Sequence, residues 1–252
     1  MTSVYENDLL VEQYLLFHYG TGEDQLPYAR GPHEALFYPI RCVSEFLPAI
    51  GEVDRALDLG CAVGRSTFEL SRWANEVIGI DLSRAFIAAA NRVRESGRVT
   101  IRRQEEGDLA TEFTRELPQY LHRDRCLFEV GDATELRDDI GQFDLVLAAN
   151  LIDRVKSPMK LLGSFSTLLR SGGHLVLSSP YTWLEEFTPK TNWIGGRYNA
   201  EGTAESTLDG VKKILLPYFD HLRTTDLPFL IREHARKFQW SVAQATVWRR
   251  RC

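Results

Sequence analysis

Three carboxylates each close a short apolar run, and glycines follow the first of them. Asp58 stands in Arg55-Ala-Leu-Asp-Leu-Gly60-Cys-Ala-Val-Gly64, Asp81 ends Glu76-Val-Ile-Gly-Ile-Asp81, and Asp132 ends Leu127-Phe-Glu-Val-Gly-Asp132. Glycine at a strand-to-helix turn lets the backbone approach a ligand closely, and the following helix N-terminus offers free N–H groups. A carboxylate ending the next strand can accept both hydroxyls of a ribose. The dinucleotide fingerprint requires G-x-G-x-x-G. Counted from Gly60, its second and third glycines are replaced by Ala62 and Arg65, which weakens a pyrophosphate reading. What remains is acid-x-Gly-x-Ala-x-Gly with a downstream acid, a pattern suited to a cofactor that carries no phosphate.

These residues need an alternating scaffold. Apolar strand runs fall at 55–59, 76–81, 127–132, 143–149 and 174–179, with helical patterns at 66–74, 84–95 and 157–169. Ser83 fits an N-cap, and Gly172-Gly173 fits a helix stop. Strands alternating with helices imply βαβ units and a parallel sheet, and nearly continuous apolar strands imply that both faces are covered. The tail differs: a helix over 208–218 leads to strands at 222–231 and 236–249, read as an antiparallel pair closing the sheet edge. The fold class is therefore α/β, a mainly parallel seven-stranded sheet with an antiparallel C-terminal strand pair and helices on both faces. We expect one domain over 1–252: an N-terminal cap segment (1–50), a core (51–180), an insertion (100–126) read as a strand plus a helix over 108–121, a loop (181–204) and a C-terminal helix with its strand pair (205–252). Long structured loops in compact domains act as lids or binding loops.

Composition sets the class. The chain has 252 residues, 44% hydrophobic, 11% aromatic and 26% charged, which excludes disorder, collagen and coiled coil as descriptions of the whole. A net charge of -5 argues against a nucleic-acid-binding surface, and Arg249-Arg250-Arg251 reads as a solvated tail. Cys42, Cys61, Cys126 and Cys252 are scattered, without metal-ligand spacing, so neither a disulfide framework nor a metal site is expected. No basic n-region opens Met1 to Leu10 and no apolar run approaches the roughly 20 residues of a membrane span. The expectation is a reduced, cytoplasmic protein.

The glycine turn with its downstream acid resembles motif I of the class I S-adenosylmethionine (SAM) methyltransferases, which are Rossmann-like. The resemblance implies SAM as cofactor. Asp81 would hold the ribose, Asp58 the cationic amino end, and Asp132 the adenine amino group. Gly60, Cys61, Gly64, Leu82 and Ala133 would line the site. Cys61 suits a small filler offering its backbone N–H better than a nucleophile. Phe86 would pack on the cofactor or serve the helix core, and Asn150 would face the methyl group and the acceptor or merely cap a loop.

Flanking segments resemble something narrower. Tyr14-Leu-Leu-Phe-His-Tyr-Gly20, Leu26-Pro-Tyr-Ala-Arg-Gly-Pro32, Tyr38-Pro-Ile-Arg-Cys42, Pro180-Tyr-Thr-Trp183, Thr188-Pro-Lys-Thr-Asn-Trp-Ile-Gly-Gly196 and Ile231-Arg-Glu-His-Ala-Arg-Lys-Phe-Gln-Trp240 are similar to the 5-thiohistidine N-methyltransferases of ovothiol biosynthesis. The resemblance implies methylation of the imidazole nitrogen nearer the side chain, with 5-thiohistidine or 5-selenohistidine as acceptor. That family's domain is often fused behind a sulfoxide synthase; here a free-standing form is expected, supplied by a separate synthase and lyase. Tyr14, His18, Tyr19 and Arg41 would cover the cofactor, Arg41 pairing with its carboxylate, with surface-helix or core roles as the alternative. Tyr181, Trp183 and Trp193 would stack on the imidazole. Asn150, Asn192, Glu233 and Arg236 would hold the ring or the amino-acid end, with Tyr14 and His18 beside them. His18, Asn150 or Glu233 would fix the ring tautomer, because the attacking nitrogen must present a lone pair. His174, His234, Trp240 and Trp248 read as structural. Rival readings are a SAM methyltransferase of another small amine, thiol or imidazole, a nicotinamide oxidoreductase, and a non-catalytic partner of a synthase.

Overall fold

The computed structural model describes residues 8–199 and 201–252. The N-terminal segment forms α1 (Asp8–Tyr19), α2 (Gly22–Gln25), α3 (Tyr38–Ser44) and α4 (Leu47–Ile50). The alternating core follows as β1 (Val53–Leu59), α5 (Arg65–Leu70), β2 (Ala74–Asp81), α6 (Arg84–Ser96), a hairpin of β3 (Arg98–Glu106) and β4 (Leu109–Glu116), then β5 (Cys126–Val130), β6 (Phe143–Ala149), α7 (Pro158–Leu168) and β7 (Leu169–Ser179). The chain ends with β8 (Arg197–Tyr198), β9 (Ala204–Glu205), α8 (Thr207–Leu215), β10 (Phe219–His234) and β11 (Lys237–Arg250).

The main sheet has the order β10-β11-β7-β6-β1-β2-β5. The five strands from β7 to β5 run parallel, and β11 and β10 close the edge antiparallel, as expected from the tail. Successive residues of a strand point to opposite faces. In β1, Ala56 faces the cluster formed with α1, α3, α5 and α6, and Leu57 and Leu59 face the cluster formed with α7 and α8. The order reverses between β1 and β6. Open α/β sheets bind ligands outside the carboxyl ends of their strands at such a switch point.

Four expectations need correction. The 108–121 stretch is not a helix: Gly107, at φ +54, opens a two-residue turn, and β4 returns along β3 from Leu109↔Glu106 to Glu116↔Arg98. Leu109, Phe113, Leu117 and Leu121 recur every four residues and imitate a helical stripe, but the glycine turn and the β-branched Thr111 and Thr114 favour a ribbon. Gly172 and Gly173 lie within β7, where its pairing with β6 shifts register, and not at the helix end. The Arg249–Arg251 run is not a solvated tail. It ends β11, and Arg249 and Arg251 both pair with Asp220. Trp240 is 55% exposed where a core position was expected, because β11 pairs with β7 only from Gln244 to Arg249 and overshoots it beyond. Trp248, within the paired stretch, is fully buried. No described helix is long and apolar enough to cross a membrane.

Candidate functional site

After β1 the chain turns through Gly60, Ala62 and Gly64 at φ +72, +48 and +89. A Cβ on Gly64 would lie 2.7 Å from the Phe128 ring and 3.1 Å from Ala90, so packing against β5 and α6 imposes that glycine. Ala62 holds a left-handed conformation with a methyl group attached, at a cost of about 1 kcal/mol. Its N–H donates to Asp81 Oδ2 at 2.9 Å, and the Ser83 N–H donates to Asp81 Oδ1 at 2.9 Å. Asp81 thus bridges the glycine turn and the start of α6. These two backbone bonds, one on each carboxylate oxygen, orient the group.

Asp58 is 1% exposed, and its Oδ2 accepts from Ser66 Oγ and Thr67 Oγ1, each at 2.7 Å. Burial pushes its carboxyl up to about 6 against the pull of those two hydroxyls. Its visible work is to clamp α5 onto β1, which leaves only Oδ1 for a cationic group.

Helix α1 lies across the turn. His18 Nδ1 accepts from the Arg65 N–H at 3.3 Å, and Tyr19 OH donates to the Val63 carbonyl at 2.6 Å. Burial, aided by the Arg65 cation, pushes the His18 imidazole down to about 3. The ring is neutral, with its proton on Nε2 because Nδ1 accepts. In a dinucleotide site this helix N-terminus meets phosphate; here a protein imidazole takes its first N–H. The Tyr14 ring lies 4.8 Å from Phe86, which is 2% exposed and belongs to the core.

Beyond β2, Leu82 is 63% exposed beside Asp81. Asp132 Oδ1 accepts from the Thr134 N–H at 2.8 Å and its hydroxyl at 2.7 Å, next to the buried Ala133. Cys61, in the turn, is 1% exposed with its thiol pushed upward by burial, in keeping with a filler. Across the switch point, Asn150 follows β6 at φ +51. Its N–H donates to the Ser178 carbonyl at 2.8 Å, and its Oδ1 accepts from Tyr38 OH at 2.7 Å. Sequence reading missed Tyr38, since its partners lie more than a hundred residues away.

In the loop after β7, Tyr181 is left-handed at φ +55, and its hydroxyl donates to Gln244 Oε1 at 3.0 Å. Buried Asp153, which the sequence did not single out, accepts from Ser179 Oγ at 3.0 Å and the Thr182 N–H at 2.9 Å, so it fixes the loop's departure from β7. Trp183 and Trp193 stack on each other at 6.0 Å. Their indole N–H groups donate to Thr207 Oγ1 and the Thr188 carbonyl, both at 2.9 Å, and Asn192 Nδ2 donates to the Lys156 carbonyl at 2.8 Å. These three side chains hold the loop together.

Three expected residues are engaged elsewhere. Arg41 donates to Glu45 at 2.7 Å and to the carbonyls of Glu34 at 2.5 Å and Pro228 at 2.9 Å. Glu233 pairs with Lys237 at 2.7 Å and lines a separate cleft of about 610 Å³ between α1, the β3–β4 hairpin and the β10–β11 ribbon. Arg236 lies in the turn of that ribbon, its N–H donating to His234 Nδ1 at 3.2 Å.

Comparison with known proteins agrees with this geometry. A family model described as a methyltransferase domain matches residues 33–216. A ubiquinone biosynthesis O-methyltransferase of Bradyrhizobium sp. (strain ORS 278) is 29% identical over 125 residues, which is 50% of this chain, and the chain spans only 39% of that protein's length. Among solved structures, the magnesium protoporphyrin IX methyltransferase of Synechocystis PCC 6803 with bound S-adenosylhomocysteine superposes with a TM-score of 0.57 at 16% identity, covering 98% of this chain and 96% of that one. The N-methyltransferase NodS of Bradyrhizobium japonicum WM9 does so at 0.54 and 15%, covering 95% and 96%. At such identities these two show the fold alone. The turn, the bridging acid and the family match lead to one conclusion: the chain belongs to the methyltransferase domain family and has the class I methyltransferase fold.

Proposed function

We propose that this chain methylates the imidazole ring nitrogen of 5-thiohistidine, or of its selenium analogue, at the position nearer the side chain. The observation carrying the reading is where the family-like segments fall. Tyr14–Gly20 lies over the glycine turn, Tyr38–Cys42 reaches Asn150, and Pro180–Gly196 leaves the end of β7, so three segments distant in sequence meet one rim. The Ile231–Trp240 segment is less direct support, since Glu233 and Arg236 stand away from that rim.

SAM, when bound, supplies an activated sulfonium methyl, so the protein's task is positioning, which can contribute several kcal/mol. Asp81 and the turn backbone would hold the ribose, Asp132 the adenine side, and Leu82 would cover it. Asn150, at the switch point, would contact the acceptor. The exocyclic sulfur is the stronger intrinsic nucleophile, so nitrogen selectivity must come from how the rim aims the ring. A separate synthase and lyase would supply such an acceptor.

The test is incubation of purified protein with SAM and 5-thiohistidine, read by fragmentation mass spectrometry. One methyl on the ring nitrogen is expected. A sulfur-methylated product, or none while SAM binds, would overturn the acceptor assignment.

A further inference from the structure

Tyr38 occupies a junction that the reading above leaves unused. It stands on α3 at 3% exposure, yet its hydroxyl donates to Asn150 Oδ1 at 2.7 Å and lies 2.8 Å from Ser178 Oγ. Burial keeps the phenol protonated by pushing its pKa well above the usual value. Asn150 is anchored a second time through its own N–H on the Ser178 carbonyl, and it is held in a left-handed conformation. A strained backbone persists only where its surroundings over-determine it, and such residues cluster at functional sites. With Oδ1 taken by Tyr38, the amide retains Nδ2, a two-proton donor for which no acceptor exists among the described residues.

We propose that Tyr38 is a positioning residue for methyl transfer: it locks the Asn150 amide so that Nδ2, and not Oδ1, is left to meet the acceptor molecule. A donor cannot usefully sit on the attacking nitrogen, whose lone pair must point at the methyl. It therefore takes an anionic group of the same molecule, a thiolate or a carboxylate. On a ring that carries sulfur, a hydrogen bond to the thiolate damps the sulfur's nucleophilicity and turns the ring edge. This assignment rests on the acceptor proposed above.

The test uses Tyr38→Phe in the full chain, with Ser178→Ala as the graded control that keeps the Tyr38–Asn150 bond. For Tyr38→Phe, kcat on 5-thiohistidine should fall roughly tenfold to a hundredfold, with KM and SAM affinity changing less than about threefold, since a misplaced group acts on the transition state. Ser178→Ala should lose less than about threefold. If the thiolate is the target, sulfur-methylated product should appear in Tyr38→Phe. If it is the carboxylate, the penalty should vanish with decarboxylated 5-thiohistidine. Equal kcat in wild type and Tyr38→Phe would overturn the proposal. Should wild type fail to turn over 5-thiohistidine, the acceptor reading falls by itself, and the Asn150 side-chain amide signal in ¹⁵N NMR decides the positioning claim. Broadening in Tyr38→Phe supports it, and an unchanged signal overturns it.

Discussion

The two halves of the rim are built from different materials. Around the glycine turn the contacts are mostly main chain: the turn through Gly60, Ala62 and Gly64, the Ala62 and Ser83 N–H groups on Asp81, and the Arg65 N–H on His18. In the loop after β7 they are side chain to side chain or side chain to loop: Trp183 on Trp193, Asn192 on Lys156, Tyr181 on Gln244. A site made of backbone fails when a conformation is forbidden. A site made of loop side chains changes its chemistry while the fold persists, which is how one fold serves many acceptors.

The sharpest break between the halves is Asp81→Ala. Losing a charged acceptor of two hydroxyls should weaken SAM on the order of a hundredfold in calorimetric titration; unchanged affinity would remove Asp81 from the ribose. Next is Gly64→Ala, whose methyl meets the Phe128 ring at 2.7 Å in a left-handed backbone. It should cost about 3 kcal/mol in denaturant unfolding. Ala62→Gly, one step from it, should stay within about 1 kcal/mol of wild type because it relaxes an existing strain.

A third prediction concerns pH. His18 has a folded pKa of about 3, far below its ordinary value of 6.5, so the unfolded chain binds the extra proton between those values. Its contribution is present above pH 6.5 and is lost as pH falls, by about 2 kcal/mol between pH 7 and 5. Asp58, raised to about 6 from 3.8, acts in the opposite sense. Its protonated form favours the folded state, a gain of about 1 kcal/mol on the same acidification. The Asp58 gain offsets only part of the His18 loss in wild type. Urea midpoints for His18→Asn at pH 7 and 5 should therefore show the variant gaining stability relative to wild type on acidification, and parallel shifts would show that His18 is not buried as a neutral ring. The smallest effect belongs to the loop. Trp193→Phe orphans the Thr188 carbonyl and should cost about 1 kcal/mol while leaving the acceptor KM within about threefold. A tenfold KM change with unaltered stability would make Trp193 a pocket wall instead of scaffold.

What could be read from the sequence followed from locality. The parallel strands announce themselves because burial on both faces leaves runs such as Leu145–Ala149 without polar breaks, and the Asp58–Gly64 turn is contiguous. The β3–β4 ribbon was misread because leucine and phenylalanine spaced by four outweighed one glycine. Arg41 and Glu233 were assigned by resemblance, and each pairs with a residue only four positions on, Glu45 and Lys237, while the bond from Arg41 to the Pro228 carbonyl is one that only the folded chain reveals. Tyr38 stands in the sequence only as the first residue of the Tyr38–Cys42 segment; its hydroxyl meets Asn150 and Ser178 across 112 and 140 residues of chain, a relation no local pattern carries. His18 drew attention as a group that could fix the ring tautomer, but the Arg65 N–H that it accepts makes it a cap on the turn.

On the reading proposed above, Asp81 and a helix N-terminus closed by His18 shape this rim for a nucleoside cofactor without phosphates. Calorimetric titration of one protein preparation with SAM and with NAD separates the alternatives. Saturable SAM binding and no heat from NAD are expected; NAD binding without SAM binding would assign the rim to a phosphate-bearing cofactor instead.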